Sequence, residues 1–258
     1  MINQLFEALC ALNEVEALAL GGSRAGEAFD ESSDYDVYLY CTAPIPVETR
    51  RSILSQYCDV MELGNHFWEY EDNCRLSWGV DIDLLYRDLD SFTAALAETV
   101  EQFRPQNGYT TCMWHNLLNC KIIYDRNGRL ARAKARFQVP YPSQLRKSIL
   151  DHSWKLLHAA LPAYDAQLSK ALRREDLVSV NHRTTAFLES YFDYLFALNE
   201  KTHPGEKRLI PLCRQTCERL PAHFEENISQ LFSSLYTKPA QATAILQEML
   251  AELQDISD

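Results

Sequence analysis

The sequence has 258 residues, 47% hydrophobic and 24% charged, which is enough apolar material for a packed core and too much for a disordered chain. Its formal net charge of −11 disfavours a general grip on nucleic acid but leaves room for a small anion whose charge a metal screens. No apolar run approaches the ~20 residues of a membrane helix, the N-terminus MINQLFEALCALNEVE lacks a signal-peptide pattern, and eight cysteines are too sparse for a disulfide scaffold, so the expectation is a cytoplasmic protein with reduced thiols.

The apolar positions Leu5, Phe6, Leu9 and Leu12 have helical spacing, which predicts a helix over residues 2–12. A short apolar run, Val15 to Leu20, ends at Gly21 as a buried strand would. Tyr35 to Cys41 alternates and reads as a second strand. After Pro44 and Pro46, residues 47–57 read as a helix, 59–63 as a short strand and 76–86 as a further strand with Val80, Ile82 and Leu84 on one face. Ser91 is placed to cap a helix over 92–103. Residues 121–124 read as a strand, followed by the turn signal Asp125-Arg126-Asn127-Gly128.

The proline-rich joint Val139-Pro140-Tyr141-Pro142-Ser143 marks a change. Beyond it the spacing is helical, over 145–161, 164–173, 177–199, 209–220, 224–236 and 240–253. The expected fold class is therefore α+β: a mixed α/β domain over 1–138 and an all-α helical bundle over 139–258. The aromatics at 187, 191, 192, 194 and 196 read as core of that bundle rather than as a base-stacking surface. Lys155, His182, Arg183 and the basic loop with Lys201, His203, Lys207 and Arg208 are weaker candidates for a cleft.

Cysteine spacing gives little chemistry. Cys112-x-x-His115 with Cys120, and Cys213 with Cys217, lack the second close pair that a zinc site needs, and packing is the better reading of both.

The stretch GGSRAGEAFDESSDYDVYLY, residues 21–40, carries the functional signal. A strand ending in Gly21-Gly22-Ser23 lets backbone N–H groups approach an anion. A short helix starting near Ser23 would favour phosphate further, and Arg24 adds a fixed positive charge. An ion pair from Arg24 to Glu27 or Asp30 is the alternative.

Asp34 and Asp36 follow at i and i+2. On a strand they share a face ~6.5 Å apart, and unmet they repel by about 2–3 kcal/mol at an effective dielectric of ~20. A divalent cation turns that cost into binding, and magnesium prefers carboxylate oxygens. A later strand offers Asp81 and Asp83 on one face. If it lies beside residues 35–41, one of them completes a three-carboxylate cluster of the kind that serves phosphoryl transfer with two metals.

Together, Gly21-Gly22-Ser23, Asp34-Tyr35-Asp36-Val37 and a later strand acid resemble the signature of the polymerase-β-like nucleotidyltransferase superfamily. The nearer likeness is to bacterial members with a helical C-terminal half, such as aminoglycoside nucleotidyltransferases. The resemblance implies a nucleoside triphosphate, ATP in the first instance, gripped at Gly21, Gly22, Ser23 and Arg24. It implies Mg²⁺ on Asp34 and Asp36, and a third acid that ligates and activates the acceptor hydroxyl. Asp83 fits that third position better than Asp81, because Ile82-Asp83-Leu84-Leu85-Tyr86 reads like the family's strand; Asp81 stays open as ligand or neighbour. The implied second domain closes over the nucleotide and forms part of the acceptor pocket.

The expected activity is transfer of a nucleoside monophosphate, AMP first, to a hydroxyl of a small acceptor, which an acidic chain would suit if the acceptor is cationic. A nucleotide-binding regulatory or toxin–antitoxin module is the alternative, and an RNA-end polymerase is disfavoured by the charge. The segment from His66 to Asp72 is either an acceptor-reading loop or plain surface.

Overall fold

The computed structural model describes residues 1–25, 33–67 and 69–257, without the side chain of Ser23. The described residues divide into two compact units. One holds 1–97 and 116–139, and the other 98–115 and 140–258. No described helix is long and apolar enough to cross a membrane.

The first unit is mixed α/β, as the sequence implies. Helix α1 (Ile2–Cys10) leads to β1 (Val15–Leu20), a single 3₁₀ turn at Ser23–Ala25 and β2 (Tyr35–Cys41). Then come α2 (Val47–Leu54), β3 (Cys58–Asn65), β4 (Glu71–Leu76), β5 (Asp81–Arg87), α3 (Leu89–Val100), α4 (Cys112–Asn119), β6 (Lys121–Asp125) and α5 (Arg129–Phe137). The six strands form one sheet in the order β3-β4-β5-β2-β1-β6. Only β2 and β5 pair in parallel; the other pairs are antiparallel.

One sheet face is apolar. Val37, Leu39 and Cys41 of β2 and Ile82 and Leu84 of β5 pack with Leu5, Phe6 and Leu9 of α1 in a single buried cluster. This is the burial that makes an amphipathic helix and half-buried strands stable together. By the period of two, Asp36, Tyr38 and Tyr40 of β2 and Asp83, Leu85 and Arg87 of β5 take the other face.

Three expectations are corrected. The single strand over 76–86 is two strands, β4 and β5, joined at a tight turn where Gly79 has φ +86° and its N–H donates to the Leu76 carbonyl. Its apolar residues hid the break. The cap of α3 is Asp88 rather than Ser91: the Asp88 carboxylate accepts from the Ser91 backbone N–H at 2.7 Å. Helices α4 and α5 were not foreseen. Helix α5 buries only Leu130, Ala133 and Phe137 among four basic residues.

The second unit carries α6 (Ser143–Trp154) with a π-helical turn at Lys155–Ala159, α7 (Tyr164–Arg173), α8 (Leu177–Leu198), α9 (Leu209–Thr216), α10 (Phe224–Ser234) and α11 (Pro239–Asp255). Phe187, Tyr191, Phe192, Tyr194 and Phe196 of α8 all lie in its apolar core. The segment 98–115 packs within this unit: the Asp193 carboxylate of α8, 1% exposed, accepts from the backbone N–H and the hydroxyl of Thr110 at 3.0 and 2.6 Å.

Candidate active site

The parallel pairing of β2 with β5 sets Tyr35 beside Ile82, Asp36 beside Asp83 and Val37 beside Leu84. Asp36 and Asp83 are therefore abreast on adjacent strands and on the same face, at an interstrand spacing of ~4.8 Å. Both are half-buried. Bringing two carboxylates together on the central strands of a packed sheet costs free energy unless donors or a cation answer them.

Asp83 has one such donor. The side-chain amide of Asn73 on β4 donates to its Oδ1 at 2.8 Å, and the amide of Asn65 donates to the Asn73 carbonyl oxygen at 2.8 Å. A row of polar groups thus runs across β3, β4, β5 and β2 through Asn65, Asn73, Asp83 and Asp36. Neither asparagine was singled out from the sequence. The signal was weak, because β4 reads EDNCRL and has no apolar alternation to reveal a strand.

Asp81 is spent elsewhere. It forms an exposed ion pair with Arg75, at 2.7 and 3.3 Å, and the hydrogen bond from that guanidinium holds its carboxyl below the usual range. Of the two acids on β5, Asp83 is the one abreast of Asp36.

The glycines answer to the same face. The Gly21 N–H donates to the Asp36 carbonyl at 2.8 Å, extending the ladder of β1 and β2 by one bond. A Cβ on Gly21 would stand 2.3 Å from the Tyr38 hydroxyl oxygen. Gly22 has φ +56°, and a Cβ there would stand 1.8 Å from the Asp36 Oδ2. A side chain at 21 requires the Tyr38 ring to move, and one at 22 requires the Asp36 carboxylate to move and also strains a left-handed backbone. The space left by the missing Cβ is what the Asp36 carboxylate fills.

Arg24 closes the loop rather than facing open space. Its Nε donates to the carbonyls of Ser33 and Asp34 at 2.7 and 3.2 Å, and its guanidinium lies 3.9 Å from the Tyr35 ring centroid. It thereby anchors the backbone at Asp34 just where β2 begins. Ser23's side chain, Glu27 and Asp30 lie outside the described residues.

Asp34, Asp36 and Asp83 do not converge as three. Among the described residues the one trio of metal-ligating atoms within 4.8 Å of each other lies elsewhere. Asp34 precedes the strand. The fit to a divalent ion is thus carried by Asp36 and Asp83, with Asp34 adjacent in the chain. The cysteine groupings are engaged in packing contacts: His115 Nδ1 pairs with the Thr202 hydroxyl at 2.8 Å, and the Cys120 thiol donates to the Leu117 carbonyl at 3.2 Å.

Farther along the acid face, Arg87 packs over Tyr38 at 4.0 Å and is held by Glu69 at 2.7 and 2.5 Å. Burial works against its charge, and Glu69, Tyr40 and Tyr38 together more than offset that, so its pKa is raised. At this far end of β2 and β5 lies a cavity of about 480 Å³ lined by Thr42, Arg50, His66, Tyr70, Tyr86 and Arg87. Five residues of strand, ~16 Å, separate it from the acids.

A family model described as a domain of unknown function, DUF4037, matches residues 110–209. No curated protein matches the chain. Among solved structures, the chain is similar to a nucleotidyltransferase-like protein from Exiguobacterium sibiricum, at 13% identity over 99% of this chain and 72% of that one, with a TM-score of 0.42. It is also similar to an aminoglycoside 6-adenyltransferase from Bacillus subtilis, at 8% identity over 98% of this chain and 89% of that one, with a TM-score of 0.30. Likenesses this distant carry no weight below, where the sheet acids and glycines do.

Proposed function

We propose that the protein is a nucleotidyltransferase that moves a nucleoside monophosphate, AMP in the first instance, from a nucleoside triphosphate to a hydroxyl of a small acceptor. The observation that supports this is the registration of Asp36 beside Asp83 with a glycine, Gly22, that makes room for the Asp36 carboxylate.

In this reading Asp36 and Asp83 hold Mg²⁺, and Asp34, just before β2, joins them when the ion is bound. Bound there, the ion would neutralise the phosphate charge that builds during transfer. The chain's own groups do the rest. The turn at Gly21, Gly22 and Ser23 offers backbone N–H groups to the triphosphate. Arg24 fixes that turn against the start of β2 through its bonds to Ser33 and Asp34. Asp83 takes the proton of the acceptor hydroxyl, and the amide of Asn73 fixes which of its oxygens is turned to the protein. Positioning and electrostatics, rather than covalent chemistry, supply the rate. A cationic acceptor is the class an acidic site would favour.

The experiment is pyrophosphate release from each labelled triphosphate with Mg²⁺ and a panel of hydroxyl-bearing acceptors. Release that depends on Mg²⁺ and is lost in Asp36→Asn supports the reading. Release unchanged in Asp36→Asn overturns the assigned roles. Triphosphate binding without Mg²⁺ and without turnover overturns the enzyme and leaves a binding module.

A further inference from the structure

Helix α11 carries Glu248 and Glu252 four residues apart, so both carboxylates leave one face a single turn from each other. Like charges at that spacing repel unless a cation lies between them. His223, the residue before α10, brings its ring to this pair. Its Nδ1 lies 3.7 Å from the Glu248 Oε1 and is hydrogen-bonded to the Glu252 Oε1. The three donor atoms all lie within 4.8 Å of one another. Donors at the corners of a tetrahedral zinc site, with bonds of about 2.0–2.1 Å, stand roughly 3.3 Å apart.

Glu252 is the fixed member. Its side chain is only 14% exposed. Its Oε2 accepts from the His223 backbone N–H at 3.1 Å and from the Asn227 amide at 3.4 Å, and Asn227 is itself buried. Those two donors occupy Oε2 and leave Oε1 turned toward His223 and Glu248. A ligating carboxylate oriented from behind by a buried amide is the arrangement that supports metal sites. The carboxylate accepts, so Nδ1 holds the proton of the His223–Glu252 bond; an ion bound there takes that proton's place and releases it to solvent, with Glu248 adding a second negative charge.

We propose that His223, Glu248 and Glu252 bind a divalent transition-metal ion of the zinc class, with water completing the coordination. One imidazole nitrogen with two carboxylates suits zinc, cobalt or nickel; magnesium prefers an all-oxygen set. The site is therefore chemically distinct from the sheet acids and independent of the activity assigned to them. The bound ion links the entry to α10 with the last turns of α11, and so closes two helices of the second unit with a clip.

The test is calorimetric titration of the full chain with Zn²⁺ and with Co²⁺ in excess Mg²⁺. The parent protein takes up one ion, and His223→Ala and Glu248→Gln each weaken binding at least tenfold, while Asp36→Asn leaves it unchanged. Glu248 is half exposed, so its glutamine variant keeps the fold, which far-ultraviolet circular dichroism verifies. No uptake by the parent, uptake undiminished in both variants, or uptake lost in Asp36→Asn each overturns the proposal.

Discussion

Gly22 and Asp36 meet in one volume: a Cβ on Gly22 would stand 1.8 Å from the Asp36 Oδ2, so a side chain at 22 forces the carboxylate aside. The glycine turn and the strand acid are thus one unit. Each is an ordinary feature alone, and the contact between them makes the turn specific to a carboxylate.

Gly22→Ala is therefore expected to remove activity while the sheet survives. The alanine meets Asp36 and also sits at a φ of +56°, a strain of about 1–2 kcal/mol. Displacing the acid by an ångström lowers turnover on the order of 10²-fold. Kinetics of pyrophosphate release, with thermal unfolding as a fold check, reads both effects; full activity in this variant contradicts the placement.

Mg²⁺ should raise the unfolding temperature of the parent and leave that of Asp36→Asn unmoved. An ion at 100 times its dissociation constant adds about 2.7 kcal/mol to a site it binds only in the folded state. Differential scanning fluorimetry with and without Mg²⁺ reads the difference directly.

The buried ion pair of Arg50 with Asp72 makes a stability prediction. Both side chains are 0% exposed, and Asp72 also accepts from the Gly64 N–H and the Tyr86 hydroxyl, each at 2.8 Å. Asp72→Ala strands a buried guanidinium and should cost about 3–5 kcal/mol. The double variant Arg50→Met with Asp72→Ala should recover much of that loss in urea unfolding. Equal loss in single and double variants contradicts it.

Asp193 sets a pH dependence in the second unit. Desolvation by burial pushes its carboxyl up to about 6, although Thr110 donates to it. A folded pKa above the unfolded value means that the native state binds the proton more tightly. The contribution is complete below pH ~4 and is lost as pH rises through about 6, on the order of 2–3 kcal/mol in all. Relative to the parent, Asp193→Asn should keep its stability over that window. Parallel unfolding curves for the two proteins from pH 4 to 7 contradict the assignment.

The legible parts of the molecule were those that physics marks locally. β1 and β2 announced themselves because Val15–Leu20 is apolar but for Glu16 and 35–41 alternates, and glycines follow β1. β4 was silent, since its acid and amide side chains find partners far away in sequence: Asp72 on Arg50 and Tyr86, Asn73 on Asn65 and Asp83. A polar strand looks like a loop until its neighbours are known. Periodicity alone did not separate Asp81 from Asp83, because both share a face, and only the resemblance of Ile82-Asp83-Leu84 favoured Asp83; register and the Arg75 pair distinguish the two in the fold. Arg24 read as a phosphate contact or as an ion pair with Glu27 or Asp30; its bonds to the Ser33 and Asp34 carbonyls, nine and ten residues on, are encoded by no spacing.

The parallel pairing of β2 with β5 has a consequence for biogenesis. Asp36 and Asp83 become neighbours only after the chain has completed the detour through β3 and β4, so their encounter is a long-range event that a nascent or half-assembled polypeptide lacks. On the proposed function, activity is therefore expected only once β5 has docked on β2, and a chain with β5 absent or out of register is expected to be inert.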